Sequence, residues 1–170
     1  MAREDVSLVK IAIISDTHLP RGGRRLPEEC VELLLAADLI VHAGDFVELS
    51  VLRELRSLGE VIGVHGNVDH DDVRRTLPAV QTFSVERVTI AVLHDAGPRP
   101  GRLRRMRARF PRADAVVFGH SHIPLLERAP DGFQMFNPGS PTDRRRAPEH
   151  TMGLARVRED EVFFELVAVG

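Results

Sequence analysis

Leu39-Ile40-Val41-His42-Ala43-Gly44-Asp45 is the stretch of sequence that decides the fold. It begins as a short apolar run, which predicts a buried β-strand, and it ends in a glycine and a carboxylate. A parallel strand that ends in Gly-Asp places its acid at the carboxyl edge of the sheet, where open α/β folds bind their ligands. The stretch therefore predicts an α/β protein with a polar site at that edge.

Four other apolar runs end in the same way, each in a side chain of the kind that binds metals. They end at Asp16-Thr17-His18, at Gly66-Asn67, at His94 and at Gly119-His120-Ser121-His122. Side chains two apart on an extended segment point the same way, so we expect Asp16 and His18 to hold one ion together. All five runs are expected to converge on one site.

The remaining pattern predicts two kinds of connection. The first half alternates strand and helix, which favours parallel strands. The second half is richer in strands, with hairpins expected to turn at Glu86-Arg87, Asp131-Gly132 and Glu159-Asp160. No repeat or linker divides the chain, so we expect one domain over residues 1–170. The expected fold is α/β, with two mixed sheets packed face to face and helices outside.

Composition narrows the function classes. The formal net charge of −2 gives no electrostatic footprint for nucleic acid, so a nucleic-acid partner is not expected. The sole cysteine, Cys30, excludes an intrachain disulfide and fits a reducing cytosol. The charged residues 3–5 precede no signal-peptide core, and no apolar run approaches the roughly 20 residues that span a bilayer. We therefore expect a cytoplasmic protein without a membrane partner.

The candidate ligands are nitrogen and oxygen donors without a thiolate: Asp16, His18, Asp45, Asn67, His94, His120 and His122. Such a set suits Mn²⁺, Ni²⁺, Fe, Mg²⁺ or Zn²⁺ and excludes cysteine-based zinc and iron–sulfur sites. Seven ligands are too many for one ion that also holds a substrate, and they suit two ions that share a bridging carboxylate. We expect two divalent ions, Mn²⁺ first, with the other metals open.

In their order along the chain, D-x-H, G-D, G-N-x-D, H and G-H-S-H resemble the motifs of the calcineurin-like metallophosphoesterase superfamily. The short length and the late Asn137-Pro138-Gly139-Ser140 are most similar to its small YfcE/MJ0936-type phosphodiesterases. The resemblance covers about Val9 to Val167. It implies a four-layer α/β sandwich and hydrolysis of a small or nucleotide-like phosphodiester by a metal-bridging hydroxide.

Carried onto this sequence, the resemblance implies two sets of metal ligands. One ion would be held by Asp16, His18, Asp45 and His122, and the other by Asp45, Asn67, His94 and His120. Asp45 would then bridge the ions, and Asp45, Asn67 and His94 would be the catalytic residues. Val68 stands where the phosphatase and nuclease branches have a histidine that assists the leaving group. The residue that would protonate the leaving group is therefore unassigned.

Other interpretations and residues stay open. Arg144 and Arg145 follow the Pro-Gly-Ser turn and are candidates for binding an anionic substrate. The arginine-rich segment before Arg112 has only Phe110 interleaved, which favours a solvated helix over a nucleic-acid track.

A metal-binding interaction scaffold resembling the retromer subunit VPS29 is one alternative function, and a nuclease resembling the Mre11/SbcD branch is another. The intact ligand positions favour an enzyme over both. The substrate and the oligomeric state, including a homo-oligomer, are not readable from the sequence.

Overall fold

The computed structural model describes residues 7–170, and the charged residues 3–5 lie outside the described residues. Within that range ten strands form: β1 (Val9–Ile14), β2 (Leu39–His42), β3 (Val61–Gly63), β4 (Val80–Val85), β5 (Val88–Leu93), β6 (Ala115–Val117), β7 (Leu125–Arg128), β8 (Gln134–Asn137), β9 (Thr151–Arg158) and β10 (Glu161–Ala168). The helices of the same range are α1 (Glu28–Leu35), α2 (Leu49–Leu58), α3 (Asp71–Thr76), α4 (Arg102–Arg109) and the short 3-10 turn Arg21–Gly23. Among the helices described, none has the length and apolar character to cross a membrane.

The strands form two five-stranded sheets, each of mixed direction. The first has the order β10-β9-β1-β2-β3, with β1, β2 and β3 parallel to one another and β9 antiparallel to β1. The second has the order β4-β5-β6-β8-β7, with β5, β6 and β8 parallel and the outer strands antiparallel. The expectation of two mixed sheets is confirmed.

Three apolar clusters separate four layers. Because successive strand residues point to opposite faces, Ile13 packs between the two sheets while Ile14 packs against the helices. Leu34 of α1 and Leu52 of α2 cover the outer face of the first sheet. Met106 of α4 covers the outer face of the second sheet. Each such fully buried side chain contributes about 1.5–3 kcal/mol, and together they fix the four-layer α/β sandwich.

The predicted hairpins form, with one difference in length. Val85 pairs with Val88 and Arg158 with Glu161, so two of the turns have two residues as expected. The prediction of a two-residue turn at Asp131-Gly132 is wrong, because the paired positions next to this loop are Arg128 and Gln134. The Asp131 carboxylate accepts the Phe133 N–H at 3.1 Å, and this local bond stabilises a wider loop.

Candidate metal centre

The seven candidate ligands follow strands whose carboxyl ends meet at one edge of the sandwich. They follow β1 (Asp16, His18), β2 (Asp45), β3 (Asn67), β5 (His94) and β6 (His120, His122). The loops are joined directly, since the Asp16 N–H donates to the Gly44 carbonyl at 3.0 Å. Between the sheets, the His120 N–H donates to the Asp16 carboxylate at 3.0 Å. The sheet packing thus brings all seven residues together.

The backbone is strained at five of these seven positions. Positive φ angles occur at Asp16 (56°), His18 (48°), Asp45 (63°), His120 (72°) and His122 (60°). A non-glycine residue in this region costs on the order of 1–3 kcal/mol and persists only where its surroundings over-determine it. Such outliers cluster at functional sites, which singles out these loops.

The first group of ligands surrounds the Asp16 carboxylate. Ligand atoms of Asp16, His18 and His122 lie within 4.8 Å of one another, and all three side chains are buried. His122 Nε2 is 3.5 Å from Asp16 Oδ1. His18 Nε2 is 3.4 Å from Asp45 Oδ2. These four side chains could hold one ion.

The second group contains the more exposed ligands. His94 Nε2 lies 3.1 Å from Asp45 Oδ2 and 3.0 Å from Asn67 Oδ1. His120 Nδ1 lies 3.1 Å from the same Asn67 oxygen. Asp45 Oδ2 therefore lies near a histidine of each group. Asn67 and His120 are exposed, which leaves this side of the centre open to a substrate.

Buried nitrogen atoms test whether the donors fit a metal. Within the described range, His18 Nε2 and His122 Nε2 are buried and make no hydrogen bond. The other ring nitrogen of His122 is bonded to the Asp143 carbonyl, so Nε2 presents its lone pair to the centre. An unsatisfied buried polar atom is costly, and a cation between these atoms would remove that cost. The donor set fits a divalent metal.

The electrostatics of the centre also favour a cation. Burial raises the pKa of Asp16 to about 6. Burial would also raise the pKa of Asp45, but the neighbouring His18 and His94 outweigh it and hold that pKa well below its usual range. Burial opposes a charge on His94, yet the Asp45 and Asp16 carboxylates raise its pKa to about 9. Without metal, a proton on His94 thus balances the buried carboxylates.

Two glycines allow the ligand loops to approach one another. A Cβ on Gly66 would collide with Asp45 Oδ1, and a Cβ on Gly119 would collide with the Ser15 hydroxyl and lie 2.7 Å from Asp16 Oδ2. The G-N and G-H motifs therefore need glycine because its hydrogen leaves room for a ligand carboxylate.

Asp69 is the acid of the G-N-x-D motif and stands just before α3, where it could cap the helix or orient a neighbouring group. Its carboxylate accepts three backbone N–H groups, from Asp45 (3.1 Å), Val47 (2.7 Å) and Gly66 (2.6 Å). The cap residue of α3 is His70 instead, and it has no side-chain cap bond. Asp69 thus ties the loop after β2 to the loop after β3.

His42 connects the loop after β1 to the loop after β2. Its Nδ1 accepts the Gly44 N–H at 3.1 Å, so the proton is on Nε2, which faces the Thr17 hydroxyl at 3.0 Å. Burial lowers the pKa of His42 to about 3, so this histidine stays neutral. It thus fixes the backbone beside the candidate ligands and is not one of them.

The Asn137–Ser140 turn supports the ligand loops. Asn137 Nδ2 donates to the Gly119 carbonyl at 3.0 Å, and the Ser140 hydroxyl donates to the Asp16 carbonyl at 2.8 Å. Sequence reasoning missed the contribution of Asp143, whose backbone carbonyl orients His122. Acceptance of a hydrogen bond by a backbone carbonyl depends on backbone position alone, so no residue type could have indicated it.

The two arginine candidates lie in different surroundings. Arg145 lies in a cleft with Ser121 of the G-H-S-H motif, and its Nε is 3.9 Å from Asp143 Oδ2. Arg144 donates to the Ala147 carbonyl at 2.8 Å and lines a cleft with His150 that none of the seven ligands lines. Arg145 is thus the one placed beside a ligand loop.

Comparison with known proteins places these observations in a family. Residues 9–160 match the calcineurin-like phosphoesterase superfamily domain. A probable metallophosphoesterase of Methanocaldococcus jannaschii is 32% identical over 162 residues, which cover 94% of this chain and 81% of that protein. Phosphodiesterase MJ0936 of the same organism is 29% identical over 146 residues, covering 77% of this chain and 83% of that protein. The similarity to small YfcE/MJ0936-type proteins is confirmed.

A solved structure supports the same fold. Vacuolar protein sorting 29 from Cryptosporidium parvum superposes with a TM-score of 0.83 over 96% of this chain and 92% of its own, at 19% identity. This likeness concerns the fold alone. The sequence match spans most of the chain and the sandwich carries the expected ligand groups, so the protein belongs to the calcineurin-like phosphoesterase superfamily.

Proposed function

We propose that the protein is a dinuclear-metal phosphodiesterase that hydrolyses a small phosphodiester. One observation carries the proposal: Asp45 Oδ2 lies 3.4 Å from His18 Nε2 and 3.1 Å from His94 Nε2, so a single carboxylate oxygen adjoins both ligand groups. A shared carboxylate is what two closely spaced ions require. Membership of the superfamily supports hydrolase activity.

The proposed ligands are those that the sequence indicated. Asp16, His18, Asp45 and His122 would hold one ion, and Asp45, Asn67, His94 and His120 the other. Two divalent ions, when bound, polarise a phosphoryl group and lower the pKa of a water. Mn²⁺ is the first candidate, while Ni²⁺, Fe, Mg²⁺ and Zn²⁺ accept the same donors.

The chain's own residues supply orientation and access. His94 Nδ1 is held by the Ala43 carbonyl at 2.8 Å, so its Nε2 is fixed towards Asp45. The exposed Asn67 and His120 form the side from which a phosphodiester would approach. Val68 follows Asn67 and has no proton to give, so we expect diesters with acidic leaving groups to be hydrolysed fastest.

The alternatives have less support. An interaction scaffold does not need the complete ligand set that is present here, and the likeness to vacuolar protein sorting 29 extends to the fold only. A nuclease would gain little from a chain of net charge −2. Residence in the cytoplasm stays a prediction.

The test is hydrolysis of bis-p-nitrophenyl phosphate by chelator-treated protein after addition of Mn²⁺. We expect turnover to return with the metal. Asp45→Asn and His120→Ala should each lower kcat/KM by more than about 100-fold, since even residues behind a metal ligand cost about 10–100-fold.

His150→Ala is the matched control, because His150 is half-buried and lines a cleft that contains none of the ligands. It should retain wild-type activity. Absence of turnover with every one of these metals, in folded protein, would contradict the proposal and favour the scaffold.

A further inference from the structure

A cleft of about 370 Å³ opens beside the second ligand group. Asn67 and His94 form part of its wall, so it is continuous with the proposed metal centre. Val80 of β4 and Leu93 of β5 add apolar surface. Its volume lies in the range of small-molecule sites, about 300–1,000 Å³.

Two guanidinium groups give this cleft its charge. Arg74 and Arg109 both line it, against one carboxylate, that of Asp95. Arg74 donates to the backbone carbonyls of Asp69 and Asn67 at 2.9 and 2.7 Å, which leaves its charge uncompensated. Within residues 7–170, neither arginine forms an ion pair with a carboxylate.

Arg109 differs from the other arginines of α4. Arg107 bonds to the Asp131 carboxylate at 2.7 Å, Arg105 bonds to the Pro100 carbonyl at 2.6 Å, and Arg102 lies over the Phe118 ring at 4.6 Å. Those three are explained by packing and local structure. Arg109, the last residue of the helix, lies over the Phe110 ring at 5.2 Å and is the arginine of α4 that lines the cleft.

We propose that this cleft binds a second phosphate group of the substrate, so that the preferred diester carries a further phosphate on one arm, as in a 3′-phosphorylated nucleotide ester. This inference rests on the proposed phosphodiesterase function. Guanidinium groups bind phosphate oxygens with paired, charge-assisted hydrogen bonds. The apolar surface of Val80 and Leu93 would cover the sugar that joins the two phosphates, or the base that this sugar carries.

The test compares binding of thymidine 3′,5′-bisphosphate and thymidine 5′-monophosphate to Mn²⁺-loaded protein by calorimetry. We expect the bisphosphate to bind about tenfold more tightly, the effect of one charge-assisted contact. Arg109→Gln should abolish that ratio. Arg104→Gln is the matched control on the same helix, since Arg104 is exposed and does not line the cleft, and it should keep the ratio.

Equal binding of the two nucleotides by wild type, or a ratio that survives in Arg109→Gln, would overturn the inference. Arg74 is a poorer probe, because its replacement would also free the Asn67 carbonyl. Turnover of bis-p-nitrophenyl phosphate is measured in parallel. Its absence would count against the proposed function, whereas the binding ratio tests the cleft separately.

Discussion

At the scale of single residues, the main feature of the centre is that it buries two carboxylates. Asp16 is fully buried and Asp45 is 2% exposed. Two carboxylates in such an environment are stable only with cations beside them. The Asp45 and Asp16 carboxylates raise the pKa of His94 to about 9, so a proton on His94 would supply one such charge in the metal-free chain. A divalent ion would supply the charge more fully, and this explains why the ligand nitrogens of His18 and His122 are left without a hydrogen bond.

Gly66 provides a residue-scale prediction. In Gly66→Ala the new methyl group would collide with Asp45 Oδ1 and push the carboxylate away from the centre. We expect metal affinity and kcat/KM to fall by about 10–100-fold, as for other changes behind a metal ligand. Metal titration followed by calorimetry would measure the first, and initial rates the second.

Gly59→Ala is the control for that substitution. Gly59 has an extended backbone, with φ 174°, and the nearest atom to an added Cβ is 3.5 Å away. It should therefore leave metal binding unchanged. Unaltered metal affinity in Gly66→Ala would show that the Asp45 carboxylate is not constrained as described.

At the scale of elements, each ligand loop is anchored to a loop from another strand. Asp69 does this most directly, since it joins the loops that follow β2 and β3 through three backbone N–H groups. These strands are neighbours in the sheet, but their loops are separated by more than twenty residues along the chain. Two further bonds join the same loops, from the Val68 N–H to Asp45 Oδ1 at 3.1 Å and from the His70 N–H to the Val47 carbonyl at 3.0 Å, but the Asp69 carboxylate supplies three.

Replacing that carboxylate gives the element-scale prediction. Asp69→Asn weakens three accepted hydrogen bonds, and we expect a loss of about 1–3 kcal/mol in the free energy of unfolding. We also expect a loss of about 10–100-fold in metal affinity, because the ligand loops would separate. Denaturant unfolding and metal titration measure the two effects.

Asp114→Asn is the control that separates the effect on stability from the effect on metal affinity. Asp114 also accepts a backbone N–H, that of Thr89 at 2.7 Å, but it is exposed and precedes β6, at the end of the strand opposite to the one that His120 and His122 follow. It should lower stability at most slightly and leave metal affinity unchanged. Equal metal affinity in both variants would contradict the positioning role of Asp69.

At the scale of the whole molecule, the centre joins the two sheets. Asp16 belongs to the first sheet and accepts the N–H of His120 from the second. An ion held by Asp16 and His122 would therefore cross-link the sandwich. Binding that favours the folded state over the unfolded state raises stability by mass action.

This predicts a metal-dependent melting temperature. Mn²⁺ at 100 times its dissociation constant should add about 2.7 kcal/mol, which corresponds to a rise of roughly 5–11 °C for a chain of this size. Differential scanning calorimetry with and without chelator would measure it. Asp45→Asn should lose the rise, and a rise of the same size in that variant would place the metal elsewhere.

Much of the fold was predictable because its signals are local. The apolar run of β1 and the leucine spacing of α2 each involve only neighbouring residues, and these segments form a strand and a helix. The turn at Asp131-Gly132 was mispredicted because the Asp131 side chain accepts the Phe133 N–H in a wider loop, a contact that the glycine signal does not include.

By itself the sequence determined which residues end each strand, and hence the nature and order of the candidate ligands. The tertiary structure alone decided their distances, the role of the Asp143 carbonyl and the separation of Arg144 from Arg145. It also decided that Arg74 and Arg109 line one cleft. The physical reason is that periodicity encodes which face of an element is buried, whereas contacts between distant segments arise only when the two sheets pack and fix their register.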